Sequence, residues 1–232
     1  RESRPDRPSE GLKMASRVYD CVLFNGEFDA LAIRIRELDN IVYRFVVVES
    51  DTTFSGLKKA VQFTREHPAI QKFAARLDFV LVDDMPATDN AWDREVRQRN
   101  AVMLGLCGAS DNDLILMSDV DEIPRPECVG EALADEAYSA FGFRMNLYYF
   151  YMNYKCLSGD SDVVWTVGAK FALLRTNSPD ALRYAVRDQT IGAKIFENGG
   201  WHFSYLMDEE TIIQKVKRFP IRNITAGGFC GR

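Results

Sequence analysis

The chain has 232 residues, 47% of them hydrophobic and 12% aromatic, so it can bury the core of one sizeable domain and is too apolar to be disordered through its length. A formal net charge of −5 excludes nucleic-acid binding through a broad basic face, and any anionic ligand has to be met by a few local cations.

Residues 1–13 are polar, carry two prolines and precede Met14; they read as a tag or disordered tail ahead of a single domain at 14–232. Residues 19–24 (YDCVLF) predict a strand, Asn25-Gly26 a tight loop, and Phe28, Leu31, Ile35 and Leu38 recur at helical spacing. The β-branched run 42–48 (VYRFVVV) predicts a second strand ending in Glu49, Ser50 and Asp51. Pro68 suits the first turn of a helix running to about residue 76, and 78–82 (DFVLV) predicts a third strand closed by Asp83 and Asp84. An amphipathic helix is expected over 92–107, carrying Arg94, Arg97 and Arg99, before a fourth strand at 114–117.

Pro126 restarts a helix to about residue 138, and 141–154 is an aromatic, extended segment with a lip beyond it. A hairpin-like pair follows at 165–167 and 170–174, then a helix opened by Ser178-Pro179 and a short strand at 201–203. A last helix turns Ile212, Ile213, Val216 and Phe219 inward. Strands alternating with helices in the first half predict parallel βαβ units, whose ligands sit outside the carboxyl ends of the strands; Asn25, Glu49 and Asp119 fall at that edge.

The five cysteines lack CxxC spacing, which excludes a zinc ribbon and reads as reduced thiols in a cytosol-like compartment. No apolar run is long enough to span a bilayer and no signal-peptide pattern opens the chain, so a soluble protein is expected.

Residues 114–126, LILMSDVDEIPRP, break an apolar run at Ser118 and deliver Asp119, Asp121 and Glu122 together. With Val120 turned into the core, Asp119 and Asp121 can converge on one hard divalent cation; an ordinary acidic turn before a helix is the other reading. His202, in GGWHFSY, could give an imidazole to the same cation or be a satisfied core histidine, and Gly199-Gly200 allow backbone to approach a ligand closely. In REVRQR, at least one guanidinium of Arg94, Arg97 and Arg99 could reach a phosphate; a solvated basic face is the alternative. Most rings of LYYFYMNY read as packing, and together they could also form a sugar platform. Neither GxGxxG, GxxxxGK[ST] nor GxSxG occurs, so nucleotide-hydrolase, dinucleotide oxidoreductase and acyl-transfer readings drop out.

The stretches FNGEFDALAIRIREL, VVVESDTTFSG, QRNA, LILMSDVDEIPRP and GWHFSY, in this order over residues 19–219, resemble glycosyltransferase family 17. The resemblance implies an α/β, GT-A type fold with a Rossmann-like, mixed and mostly parallel sheet flanked by helices. It also implies Mn²⁺ or Mg²⁺, a UDP-sugar donor (GlcNAc by family, with xylose or another sugar open), a glycan or glycoprotein acceptor, and inversion at the anomeric carbon. In that frame Asp119, Asp121 and His202 hold the metal, and Ser118 and Asp119 lie beside the donor. Asn25 and Glu49 line the uridine pocket, with Arg94, Arg97 or Arg99 near the diphosphate.

Single-displacement inversion needs a base, for which Asp188, Glu197 and Glu122 are the candidates; Asp188 stands first because it lies upstream of the histidine strand. A catalytically idle carbohydrate-binding module that has kept the fold is the rival reading. Beside the animal enzymes of that family the sequence reads as short, without anchor or stem; the cytoplasm is the expected location, and the Golgi lumen the alternative if an anchor lies outside these residues.

Overall fold

The β-branched run that opens as VYRFVVV becomes a strand buried from Phe45 to Ser50, since stiff branched side chains fit a pleated surface covered on both faces. The computed structural model describes residues 15–157, 163–206, 210, 212 and 213. The expected tail at 1–13 and most of the expected last helix lie outside the described residues, although Glu210, Ile212 and Ile213 are helical.

Among the described residues eight strands form one sheet: β1 (Val18–Leu23), β2 (Val42–Ser50), β3 (Leu77–Val82), β4 (Leu114–Asp119), β5 (Glu122–Pro124), β6 (Ala140–Tyr149), β7 (Val164–Lys170) and β8 (Lys194–Ser204). Their order is β3-β2-β1-β4-β7-β6-β8-β5. The first four run parallel, β7 is antiparallel to both β4 and β6, β8 is parallel to β6, and β5 is antiparallel to β8. The expected mixed α/β sheet is therefore the observed one. The chain winds outward from β1 through β2 to β3 and then returns to the other side of β1 as β4, so a crevice opens at the carboxyl ends of β1 and β4.

Helices flank the sheet, among the described residues α1 (Phe28–Leu38), α2 (Ala91–Asn100), α3 (Pro126–Ala134), α4 (Phe171–Leu174) and α5 (Pro179–Arg187). The two-residue period of β4 sends Leu114 and Leu116 to one core layer, with Leu31, Ile35 and Val129, and Ile115 and Met117 to the other, with Val102, Leu182 and Val186.

Several expected boundaries move for local reasons. The helix expected from Pro68 is a turn followed by a 3₁₀ segment at Gln71–Arg76. The expected helix over 92–107 is α2, capped by Asn90 Oδ1 accepting from the Trp92 N–H at 3.2 Å, and it gives way to a 3₁₀ turn at Ala101–Gly105. A Cβ on Gly105 would lie 2.3 Å from Val46 Cγ1, so this turn packs directly on β2. α3 stops at Ala134 because the Asp135 carboxylate accepts from the Ala137 and Tyr138 N–H groups.

The expected hairpin at 165–174 is corrected: it is one strand, β7, followed by α4. Its pairing partners are β4 and β6, and the N–H groups of Phe171 and Ala172 donate to Asp113 O and Asp111 O. The short strand expected at 201–203 extends to eleven residues as β8, and β5 falls where only a turn was expected. Cys21, Cys107 and Cys128 are free thiols, and Cys230 lies outside the described residues. No helix among the described residues is long and apolar enough to cross a membrane.

Candidate active site

The acidic stretch after β4 is held from two sides by buried arginines. From α1, Arg34, wholly buried, donates to both oxygens of buried Asp20 on β1 at 2.6 and 2.7 Å and to Ser118 Oγ at 2.7 Å. The same guanidinium donates to the carbonyls of Glu122 at 2.6 Å and Asp119 at 3.3 Å, so both ends of the Asp119–Glu122 turn are tied to the helix below. From α5, Arg183 donates to Glu122 Oε1 at 2.7 Å and Oε2 at 3.0 Å, with both side chains almost fully buried. Burial pulls the Arg183 guanidinium down, but Glu122 and Asp119 outweigh it and hold it above its ordinary value. Glu122 Oε2 also accepts from the Asp119 N–H at 3.0 Å, closing the turn. Val120 is buried in the core, as expected, though one edge of it reaches the cavity described below.

β5 then fixes Asp121 against His202. Glu122 pairs with His202 in the β5–β8 register, and the Phe203 N–H donates to Asp121 O at 2.9 Å. A Cβ on Gly200 would lie 2.2 Å from Ile123 O, and one on Gly199 would lie 2.9 Å from Phe196 O. The paired glycines therefore serve strand contact: they let β8 close on β5 and β6, where approach to a ligand was expected.

His202 Nε2 stands 3.8 Å from Asp121 Oδ1, both side chains being about nine-tenths buried. That gap exceeds a hydrogen bond. The Trp165 ring meets the imidazole edge-on at 4.3 Å, and His202 Nδ1 is buried without a partner among the described residues. Among those residues no three His, Cys, Asp or Glu side chains converge on one point. An imidazole nitrogen and a carboxylate oxygen facing each other could together ligate a divalent cation and would leave it positions for further ligands.

Asp121 and His202 line a cavity of about 260 Å³ that extends past Asp119 to Asn25, Thr53 and Lys59. The residues expected to bind the donor divide at its wall. Asn25 lines the cavity, its N–H donating to Glu27 Oε2 at 2.8 Å. Arg99 is buried between Asp180 at 3.1 Å, Asp119 at 3.5 Å and Glu95. Arg94 points elsewhere, donating to Phe54 O at 2.9 Å and to Thr88 O, and so braces the loop that carries Thr53 and Phe54 into the cavity wall. Arg97 pairs with Asp84 at 2.6 Å on the surface. Ser118 is buried with its hydroxyl held by Arg34.

Glu49 is fully buried and is absent from the cavity wall: it accepts from the Gln62 and Phe63 N–H groups and from Lys59 Nζ at 2.5 Å. None of the three candidate bases lines the cavity. Glu122 is sealed by Arg183, Glu197 is exposed on β8 and pairs with Arg144 at 2.6 Å, and Asp188 is the exposed C-cap of α5. The carboxylates that do line the cavity, among the described residues, are Glu27, Glu95, Asp119 and Asp121. Burial pushes the Glu95 carboxyl up, Arg99 pulls it down, and Asp119 adds to the rise.

Arg34, Arg183, Glu95 and Lys59 escaped the sequence reading. Arg34 carried a signal, since it stands on the apolar stripe of α1 between Leu31 and Leu38, where a charge needs a buried partner.

The fold is of the GT-A type, an α/β sheet with an acidic pair at its switch point. The chain belongs to glycosyltransferase family 17, whose family model matches residues 9–221 and so begins inside the stretch read as a tail. Two relatives, the β-1,4-mannosyl-glycoprotein 4-β-N-acetylglucosaminyltransferases of Rattus norvegicus and Homo sapiens, are each 28% identical over 154 residues. The match covers 58% of this chain and 27% of each relative, about a quarter of their length.

Among solved structures, the mannosyltransferase PcManGT of Pyrobaculum calidifontis, in complex with GDP-Man and Mn²⁺, is 12% identical with a TM-score of 0.48, covering 89% of this chain and 61% of its own. Glucosyl-3-phosphoglycerate synthase of Mycobacterium tuberculosis, in complex with Mn²⁺ and UDP-glucose, is 14% identical with a TM-score of 0.42, covering 96% and 87%.

Proposed function

We propose that the chain transfers a sugar from a UDP-sugar to a hydroxyl of a glycan, with inversion, using Mn²⁺ or Mg²⁺ held by Asp121 and His202. The observation that carries this reading is the facing of Asp121 Oδ1 and His202 Nε2 at 3.8 Å on the wall of a cavity that also takes in Asp119. Family membership sets the reaction class. A bound divalent cation would offset the negative charge that builds on the departing diphosphate.

The chain's own residues do the rest. Asp119, oriented by Arg99 and by its N–H bond to Glu122, borders the donor, and Asn25 and the Thr52–Phe54 wall enclose the nucleoside. Ser204 and Tyr205 continue the cavity toward the aromatic rings of Tyr149 and Phe150, which offer apolar faces to an acceptor sugar. Because Asp188, Glu122 and Glu197 stand outside the cavity, the proton acceptor is sought among its lining carboxylates, Glu27 and Glu95. The two relatives are N-acetylglucosaminyltransferases, which makes UDP-GlcNAc the first donor to try.

The test is UDP release from a panel of UDP-sugars with Mn²⁺ and with EDTA. Slow, metal-dependent release from one donor, lost in Asp121→Asn, is expected. Glycan binding with no nucleotide binding and no release from any donor would instead identify a carbohydrate-binding module.

A further inference from the structure

We infer that Lys59 reads the nucleobase of the donor, selecting a base that presents a carbonyl, such as uracil, over one that presents an amino group, such as cytosine. The inference rests on the nucleotide-sugar reading above and deepens it.

The carboxylate nearest this place cannot do this work. Glu49, at the carboxyl end of β2, has both oxygens occupied: Oε1 accepts from Lys59 Nζ at 2.5 Å and the Gln62 N–H at 3.0 Å, and Oε2 from the N–H groups of Gln62 at 3.1 Å and Phe63 at 2.8 Å. What Glu49 does instead is fix an ammonium on the cavity wall. The Lys59 side chain is only 12% exposed and lines the cavity, while Glu49 behind it is wholly buried. Lys59 is further held because its own N–H donates to Asp51 O at 2.8 Å. An ammonium has three donors and no acceptor. Glu49 is the one hydrogen-bond partner of Nζ among the described residues, so N–H donors remain for whatever fills the cavity.

The strand register says which part of a ligand that is. Leu23 on β1 pairs with Asp119 on one side and Val48 on the other, so the end of β2 lies two strand spacings, roughly 10 Å, from the end of β4. Asp119 and Asp121 mark the diphosphate end at β4. In a nucleoside diphosphate the ribose separates phosphates from base, so the group that reaches the β2 end is the base. A carbonyl there accepts from the ammonium. An amino group there sets donor against donor and leaves the remaining N–H donors of a partly desolvated ammonium unsatisfied, the arrangement that discriminates most strongly between near-isosteres.

Equilibrium titration of the full chain with UDP, CDP, UMP and CMP, in the presence of Mn²⁺, tests this. Wild type should favour UDP over CDP, and UMP over CMP, by about 10- to 100-fold. Lys59→Met should bring both ratios within about threefold of unity, chiefly by weakening the uracil nucleotides. Lys59→Gln, whose amide can present its oxygen, should move preference toward cytosine. Asp121→Asn should weaken UDP and CDP alike and keep their ratio. Uracil nucleotides bound with no preference, or a preference that survives in both Lys59 variants, overturns the inference and leaves the donor reading standing. Folded wild type that binds none of the four nucleotides overturns both.

Discussion

Arg183 and Glu122 form a two-bonded ion pair, at 2.7 and 3.0 Å, in which neither side chain keeps more than a trace of solvent exposure. One comes from α5 and the other from the first residue of β5, so the pair ties the far side of the sheet to the acidic turn. Its consequence is a division of labour within SDVDEIP: Asp119 and Asp121 face the cavity, and Glu122 holds them there.

Because both charges are buried, removing one leaves the other unpaired. Glu122→Gln and Arg183→Met should each lower unfolding free energy by about 3–5 kcal/mol in urea denaturation. A Glu122→Gln protein of undiminished stability that has lost only turnover would make Glu122 the base after all.

Gly56 sits at φ +88°, and a Cβ there would lie 2.9 Å from Arg94 Nη2. Gly56→Ala should therefore cost about 1–2 kcal/mol of stability. It should also raise the donor KM more than it lowers kcat, because Arg94 carries the Thr52–Phe54 wall. Unchanged donor KM would detach that loop from the nucleotide.

Glu95 gives a pH signature in the metal-free protein. Its folded-state pKa lies above the ordinary value, chiefly through burial. The resulting contribution is fully present below the unfolded pKa of about 4.3 and is lost as pH rises through the folded value. Glu95→Gln, which stays neutral, should gain stability relative to wild type as pH rises through that window. Urea denaturation at a series of pH values reads this; a difference that stays flat or falls contradicts the assignment.

Phe150 and Tyr205 both have positive φ, 63° and 57°, and their rings stack at 6.1 Å. Bulky side chains seldom occupy that region, and such strain gathers at ligand sites. Tyr205→Ala should raise the acceptor KM several-fold and leave donor binding within about twofold, since it removes one ring of a sugar-stacking surface. Equal losses for donor and acceptor would place Tyr205 at the nucleotide instead.

How much of this was legible depended on range. β1, α1, β2, β4 and the start of α5 follow from local periodicity and the Ser178-Pro179 cap, and the clustering of Asp119 and Asp121 at a strand end follows from the apolar run before them. Partners were not legible. Residues 165–167 were read as half of a hairpin with 170–174 because pairing with β4 and β6 is set by contacts far away in sequence. Arg94, Arg97 and Arg99 looked alike on one helix, yet they turn to a loop carbonyl, a surface aspartate and the acidic turn respectively. Glu49 at a strand end looked like a ligand-binding acid, and only the fold shows Lys59 standing in front of it.

The most direct test of the cation site is Mn²⁺ titration followed by thermal unfolding, with and without UDP, in wild type, Asp121→Asn and His202→Asn. Mn²⁺ with UDP should raise the wild-type Tm, since a ligand that binds the folded state alone stabilises it, and both substitutions should abolish the rise. A rise of equal size in either variant would contradict the assignment of Asp121 and His202 as the protein's hold on the metal.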